Sequence, residues 1–310
     1  MTYLTPDVFE GKDGHLFLAL GSNNVVGLFS ERHASFDSLL RDWRSLIEGR
    51  ARKLADMGVV YKHIFVPDKL TIYREEAGDL WQGLKSPVEF IENAGLAPME
   101  DIIVPLCAYL RKQKSSYPIF FKNDTHWTPE GCFSAYQMLC AYLSIPHRAD
   151  LISNPFGRVE LSGDLGGKLN PPRTETFRFG SFGRSATRVS ANRLVTLRES
   201  GALPNGNDLH VGSIVEFRNI ASSTPLRVLL FGDSFSEYRN HYLTGLLADT
   251  VSELKFVWST NIDYGVVERF RPNIVISEIA ERFMCRIPTD DVDIERHAEK
   301  KVETALQKAR

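Results

Sequence analysis

Short apolar runs alternate with longer stretches of helical spacing along this chain, and that alternation predicts an α/β protein. HLFLAL (15–20) reads as a strand ending in the loop GSNN. Between residues 35 and 57, Phe36, Leu39, Leu40, Trp43, Leu46, Ile47 and Leu54 recur at helical spacing behind a Ser/Asp-rich start, so one long amphipathic helix is expected, closed by Gly58. VVYKHIFVP (59–67) follows as a strand, whereas IIVPLCAYLRKQK (102–114) fits helix or strand. PIFFKND (118–124) predicts a short strand. Thr128 then caps a helix that starts with Pro129, a residue with no amide to leave unbonded and a φ already helical. Phe133, Tyr136, Leu139, Cys140 and Leu143 give that helix its inward face.

From Ser162 to Thr224 the pattern breaks into Gly, Asn, Ser and Pro, and residues 168–198 carry Lys168, Arg173, Arg178, Arg184, Arg188, Arg193 and Arg198. This stretch reads as a β- and loop-rich insertion. LRVLLFGDS (226–234) restores a buried-looking strand, HYLTGLLADTV supplies a helix, and KFVWS (255–259) and NIVIS (273–277) are further strands around the helical YGVVERF. Strands alternating with helices imply a mainly parallel sheet. The expected organisation is one domain over 1–310 with 162–224 inserted, and a charged surface helix in 288–310.

Composition narrows the function classes. A 43% hydrophobic and 25% charged chain of 310 residues is ordinary for a folded enzyme, and a net charge of −2 gives no field drawing it to nucleic acid or anionic membrane. Cys107, Cys132, Cys140 and Cys285 sit among apolar neighbours without metal-ligand spacing and are expected as buried free thiols. The eight histidines form no HExxH, and no phosphate- or dinucleotide-binding glycine motif occurs, so neither metal nor cofactor is expected. The opening MTYLTPDVFEGKDG lacks a basic start followed by an apolar run. As given, the chain is expected in the cytoplasm, or in the periplasm if its N-terminus has been trimmed.

Two short stretches carry chemistry. A nucleophilic serine needs a base, a group to hold that base, and amides to stabilise an oxyanion. In FGDSF (231–235) an apolar strand ends in Gly-Asp-Ser and is expected to open a helix, which would put Ser234 on a tight turn with the Ser234 and Phe235 amides facing outward. In DTHW (124–127) a two-residue spacing on extended backbone places Asp124 and His126 on one side, so the carboxylate can orient the imidazole. Gly-Asp-Ser alone is a common turn and DTHWTP alone an ordinary helix entry; their pairing is the signal.

GKDGHLFLALGSNN (11–24), VPDKLTIY (66–73), DTHWTPEG (124–131), SGDLGG (162–167) and LLFGDSFS (229–236) together resemble the alginate O-acetyltransferase family of AlgX/AlgJ-like proteins. The resemblance implies an SGNH-hydrolase-like three-layer α/β/α domain with a circularly permuted motif order, because ordinary SGNH hydrolases carry the serine block first. It further implies Ser234 as nucleophile, His126 as base and Asp124 as its orienting carboxylate, in an acetyl transfer through acetyl-serine. A polysaccharide or oligosaccharide would be the acceptor, and the acetyl donor could arrive through a membrane-bound acyltransferase. The rival readings are an ester or carbohydrate deacetylase with the same triad, and a non-catalytic glycan-binding subunit.

Secondary candidates are Asn23, Asn24 and Arg282 as a further oxyanion donor, the first two doubling as turn residues. Asp68 and Lys69 form a recurring element of the family or a structural ion pair. Trp127 either walls the pocket or packs in the core. The arginine-rich stretch is a patch for an acidic glycan or an exposed charged loop.

Overall fold

The computed structural model describes residues 2–94, 99–203 and 210–308. Its strands are β1 (Thr2–Tyr3), β2 (Val8–Glu10), β3 (Leu16–Leu18), β4 (Val60–Val66), β5 (Gly157–Leu161), β6 (Glu175–Phe179), β7 (Thr187–Ala191), β8 (Ile214–Arg218), β9 (Thr224–Gly232), β10 (Val251–Trp258) and β11 (Ile274–Ala280). The chain divides into two compact units. Met1–Gly49, His63–Ser181 and Ile279–Ile287 make the first; Arg50–Lys62, Phe182–Glu278 and Pro288–Arg310 make the second.

In the first unit β1, β2 and β3 form an antiparallel sheet and β5 pairs with β6 as a hairpin. The long helix expected over 35–57 is Phe36–Asp56. Its Trp43 is buried edge-on against Phe65 and donates from Nε1 to the Met284 carbonyl at 3.0 Å. The ambiguous stretch 102–114 makes one parallel bridge, Ile103 to His63, and then the helix Cys107–Gln113. The Glu92 carboxylate accepts the Leu106 and Cys107 amides at that helix's start.

PIFFKND does not form the expected strand. Phe120 makes a single antiparallel bridge to Trp127, and the chain folds back on itself, with the Thr128 amide on the Ile119 carbonyl at 2.9 Å. The helix Pro129–Tyr142 follows as read: Thr128 Oγ1 accepts the Gly131 amide at 3.0 Å, and Phe133, Tyr136, Leu139 and Cys140 are buried, with Leu143 half-buried.

The second unit is built on a mixed sheet in which β11, β9, β10, β8 and β7 are successive neighbours. β11, β9 and β10 run parallel, while β8 and β7 add antiparallel neighbours. Val228 to Phe231, Phe256, Val257, Val275 and Ile276 are wholly buried, as continuous apolar runs in a parallel core should be. The stretch 162–224 splits by pairing: β6 joins the first unit's hairpin, and β7 and β8 extend the sheet of the second. The tail helix Ile294–Lys308 packs Ala298 and Val302 on Leu194 and Leu203; residues 309 and 310 lie outside the described residues.

No helix opens at Ser234, contrary to expectation; the next one is Leu243–Thr250. The Asp233 carbonyl accepts the Ser236 and Glu237 amides to make one turn. Glu237 then adopts a left-handed φ of 60°, which a right-handed helix cannot continue through, and its carboxylate takes the Tyr238 and Arg239 amides.

All four cysteines are free; Cys107, Cys132 and Cys140 are buried, but Cys285 is only half-buried. Among the described residues no helix is long and apolar enough to cross a membrane.

At Gly131 a Cβ would lie 2.1 Å from the Ile119 carbonyl oxygen, a main-chain atom that the fold-back holds in place. Gly131→Ala is therefore expected to destabilise the protein by about 1–3 kcal/mol despite alanine's higher helix propensity, seen as a lower urea midpoint.

Candidate active site

The turn 121–128 is held from below by Lys69. Lys69 is buried to 1% exposure, and its Nζ donates to the carbonyls of Phe121 and Lys122, both at 2.7 Å, and to that of Asp124 at 3.4 Å. From the other side the Glu175 carboxylate accepts the Lys122 and Asn123 amides at 3.1 and 2.5 Å. The stretch SGDLGG wraps the same turn: the Leu165 and Gly166 amides donate to the Asn123 carbonyl. Gly163, at φ 66°, approaches so closely that a Cβ there would meet the Asn123 oxygen at 2.5 Å. These contacts together fix the backbone on which Asp124 and His126 stand.

On that turn Asp124 and His126 meet. Asp124 Oδ1 accepts both the His126 amide and His126 Nδ1–H at 2.7 Å, and Asp124 Oδ2 accepts the Asp164 amide at 2.8 Å. With Nδ1 donating to a carboxylate, Nε2 is the acceptor nitrogen of the neutral ring. The two side chains keep 20% and 12% exposure for His126 and Asp124. Burial works to raise the Asp124 pKa, but the His126 charge and the three donors outweigh it and hold the acid at about 2. Burial likewise opposes the imidazolium, yet Asp124 and then Asp164 raise the His126 pKa above 6.5, while Arg282 works against them.

Asp164 is the member that sequence spacing missed. Its carboxylate accepts the Thr125 amide at 2.7 Å and the Thr125 hydroxyl, and Oδ2 stands 3.9 Å from His126 Nδ1. Asp124, His126 and Asp164 could jointly ligate a cation, since their donor atoms lie within 4.8 Å of one another. The hydrogen bonds they exchange are those of an oriented imidazole. The glycines around Asp164 were the signal available in sequence, because they mark a backbone that must come close to something.

Asp68 and Lys69 do not pair with each other. Asp68 caps the short helix Lys69–Ile72 and faces the buried Arg282, 3.5 Å from its Nη1. Glu281, wholly buried, accepts the Asp68 and Val88 amides and the Thr71 and Ser86 hydroxyls; burial nonetheless raises its pKa to about 7. Trp127 is fully buried and belongs to the core. Asn24 adopts a left-handed φ of 46° and caps the helix Val25–Phe29 through the Gly27 amide, while Asn23 ends a short helical turn. A cleft of about 630 Å³ in this unit is lined by Tyr73, Lys114, Phe121, Lys122, Thr128 and Glu175 among others, but not by His126.

In the second unit Ser234 follows the end of β9. It is half-buried, while every other residue from Phe231 to Tyr238 is buried. The Phe235 amide donates to Asp233 Oδ1 at 3.0 Å. Much of the basic run is paired: Lys168 with Asp7, Arg173 with Glu10, Arg178 with Glu130, Arg188 with Glu199 and Arg193 with Glu299. These contacts are largely solvent-exposed and contribute little to stability.

Replacing Asp164 by Asn removes one of the charges that favour the imidazolium. The His126 pKa is expected to fall towards 6.5 in Asp164→Asn, read from the ring-proton shifts in an NMR pH titration; an unchanged pKa would remove Asp164 from the site.

Residues 8–176 match the family described as the SGNH hydrolase-like domain of the acetyltransferase AlgX, which is more than half of the chain. The probable alginate O-acetylase AlgJ of Pseudomonas aeruginosa is 28% identical over 156 residues, a match covering 49% of this chain and only 37% of that protein. Among solved structures, PatB1 of Bacillus cereus superposes with a TM-score of 0.58 at 14% identity, covering 90% of this chain and 99% of its own. The O-acetyltransferase domain of Pseudomonas putida AlgJ gives 0.51 at 19% identity, with 98% and 100% covered. A DHHW family protein from Eubacterium siraeum gives 0.57 at 13% identity, with 96% of each chain covered. At these identities the structural likeness establishes the fold alone; the match over residues 8–176 identifies the chain as a member of the AlgX/AlgJ family of SGNH hydrolase-like acetyltransferase domains.

Proposed function

We propose that the chain is a serine-dependent O-acetyltransferase that places acetyl groups on hydroxyls of a bacterial polysaccharide or its precursor. The observation that carries this reading is the Asp124–His126 pair, Nδ1 to Oδ1 at 2.7 Å, in a member of a family of acetyltransferase domains. Ser234 is the nucleophile, and its partial exposure within an otherwise buried run supports that role.

In the first half-reaction His126 Nε2 takes the Ser234 hydroxyl proton as Oγ attacks the donor's acetyl carbonyl. The donor's leaving group departs with that proton, and an acetyl-serine ester remains. In the second, a sugar hydroxyl gives its proton to His126 and attacks the ester, and Ser234 recovers a proton as it leaves. Asp124 keeps Nδ1 protonated and stabilises the imidazolium that forms in each half. Arg282 remains the candidate for further charge stabilisation. The order of the motifs, histidine before serine, is the permuted order expected of this family.

Residues that act as one unit give non-additive losses. Ser234→Ala and His126→Ala are each expected to lower kcat by roughly 10³-fold or more, with little further loss in the double variant. Additive losses would break the assignment.

Transfer is tested by following acetyl release from a chromogenic acetyl ester with and without a panel of oligosaccharides, with mass spectrometry of the sugars. Serine-dependent release that leaves acetyl on a sugar is expected. Release of acetate alone, whatever sugar is present, would replace transfer with hydrolysis.

A further inference from the structure

At the end of β11, within the second unit, Glu278 is wholly buried against the turn that carries Ser234. Its Oε2 accepts the Asp233 amide at 3.0 Å and the Ser236 hydroxyl at 2.7 Å. The approach is close: a Cβ on Gly232 would lie 2.7 Å from Glu278 Oε2 and 2.7 Å from Ser236 Oγ, so only glycine fits between strand and turn. Asp233, itself 5% exposed, sets a second carboxyl group nearby, and its charge works to raise the Glu278 pKa.

A buried carboxyl group beside a second one disfavours its own negative charge, because the charges repel and burial denies hydration. Asp233 Oδ1 in turn accepts the Phe235 amide at 3.0 Å. Glu278 Oε2 is thus the common acceptor of the Asp233 N–H and the Ser236 Oγ–H. Burial first and the Asp233 charge second push its pKa well above the ordinary carboxylate value. The residues on both sides of Ser234 thus trace to one group: Asp233 by its amide, Phe235 through Asp233, and Ser236 by its hydroxyl.

We propose that Glu278, bridging the Asp233 amide and the Ser236 hydroxyl through one carboxyl oxygen, is the positioning residue that sets the backbone of the Ser234 turn for nucleophilic attack. It rests on Ser234 being the nucleophile, but concerns a residue that touches neither substrate nor the reacting atoms. The bridge has an isosteric substitute: glutamine has the same length and keeps an accepting side-chain oxygen. Aspartate keeps the acid but draws the bridge back by one methylene; leucine removes it.

The test follows labelling of Ser234 by phenylmethylsulfonyl fluoride, sited by peptide mass, together with kcat and KM for the chromogenic acetyl ester. It uses the full chain and compares wild type, Glu278→Gln, Glu278→Asp and Glu278→Leu. Glu278→Gln is expected to label and turn over within about threefold of wild type. Glu278→Asp and Glu278→Leu should lose roughly 10- to 100-fold in labelling rate and kcat with little change in KM, as a displaced nucleophile requires. If the leucine variant does not fold, the glutamine and aspartate pair decides. A glutamine variant that falls as far as aspartate, or aspartate reacting at the wild-type rate, would overturn the role of Glu278 while leaving Ser234 in place. Wild-type label on a residue other than Ser234 would overturn the nucleophile assignment itself, and this proposal with it.

Discussion

Lys69 lies beneath residues 121–124 with its ammonium group removed from water and three backbone carbonyls around it. Desolvation lowers its pKa to about 8, against the pull of Glu175, Asp124 and neighbouring acids, so it still carries its proton at neutral pH. A buried cation without partners costs several kcal/mol, and buried carbonyls without donors cost comparably. Each therefore obliges the other. The carbonyls of Phe121 and Lys122 bind the ammonium, the chain folds back there, and Asp124 and His126 come onto one short turn.

The buried carboxyl groups show how one side chain type is put to different uses. Asp124 and Glu281 both collect several donors, yet burial leaves Glu281 at about 7 while Asp124, resisting the same desolvation, is held at about 2. The neighbouring imidazole makes the difference, because a partner that can become positive favours the anion far more than neutral hydroxyls and amides do. Glu281 thus ties Asp68, Thr71, Ser86 and Val88 together as a structural knot, and Asp124 stays charged to serve His126.

What could be read from the chain followed interaction range. The long helix, the Thr128 cap and the parallel strands depend on neighbours a few residues away, and periodicity carried them. Asp124 and His126 were legible as a pair for a partly different reason than the structure gives: they meet on a turn in which Asp124 also captures the His126 amide, instead of along extended backbone. Asp164, forty residues on, had no local pattern tying it to His126. Asp68 and Lys69 looked like each other's partners because they are adjacent, but helix geometry sends one to Arg282 and the other to the carbonyls under the turn. The turn after Ser234 failed as a helix start because Glu237 takes a left-handed conformation that no composition rule marks.

Much of what shapes the histidine turn addresses main-chain atoms. Lys69 binds carbonyls, Glu175 binds amides, the Leu165 and Gly166 amides bind the Asn123 carbonyl, and Gly163 and Gly131 leave room for carbonyl oxygens. Every residue type except proline offers the same backbone groups, so the side chains at 121–123 can drift while the few residues that grip the backbone hold the shape. A scaffold specified this way places few demands on overall sequence. It can persist as a recognisable fold among proteins sharing only 13–19% of their residues with this chain.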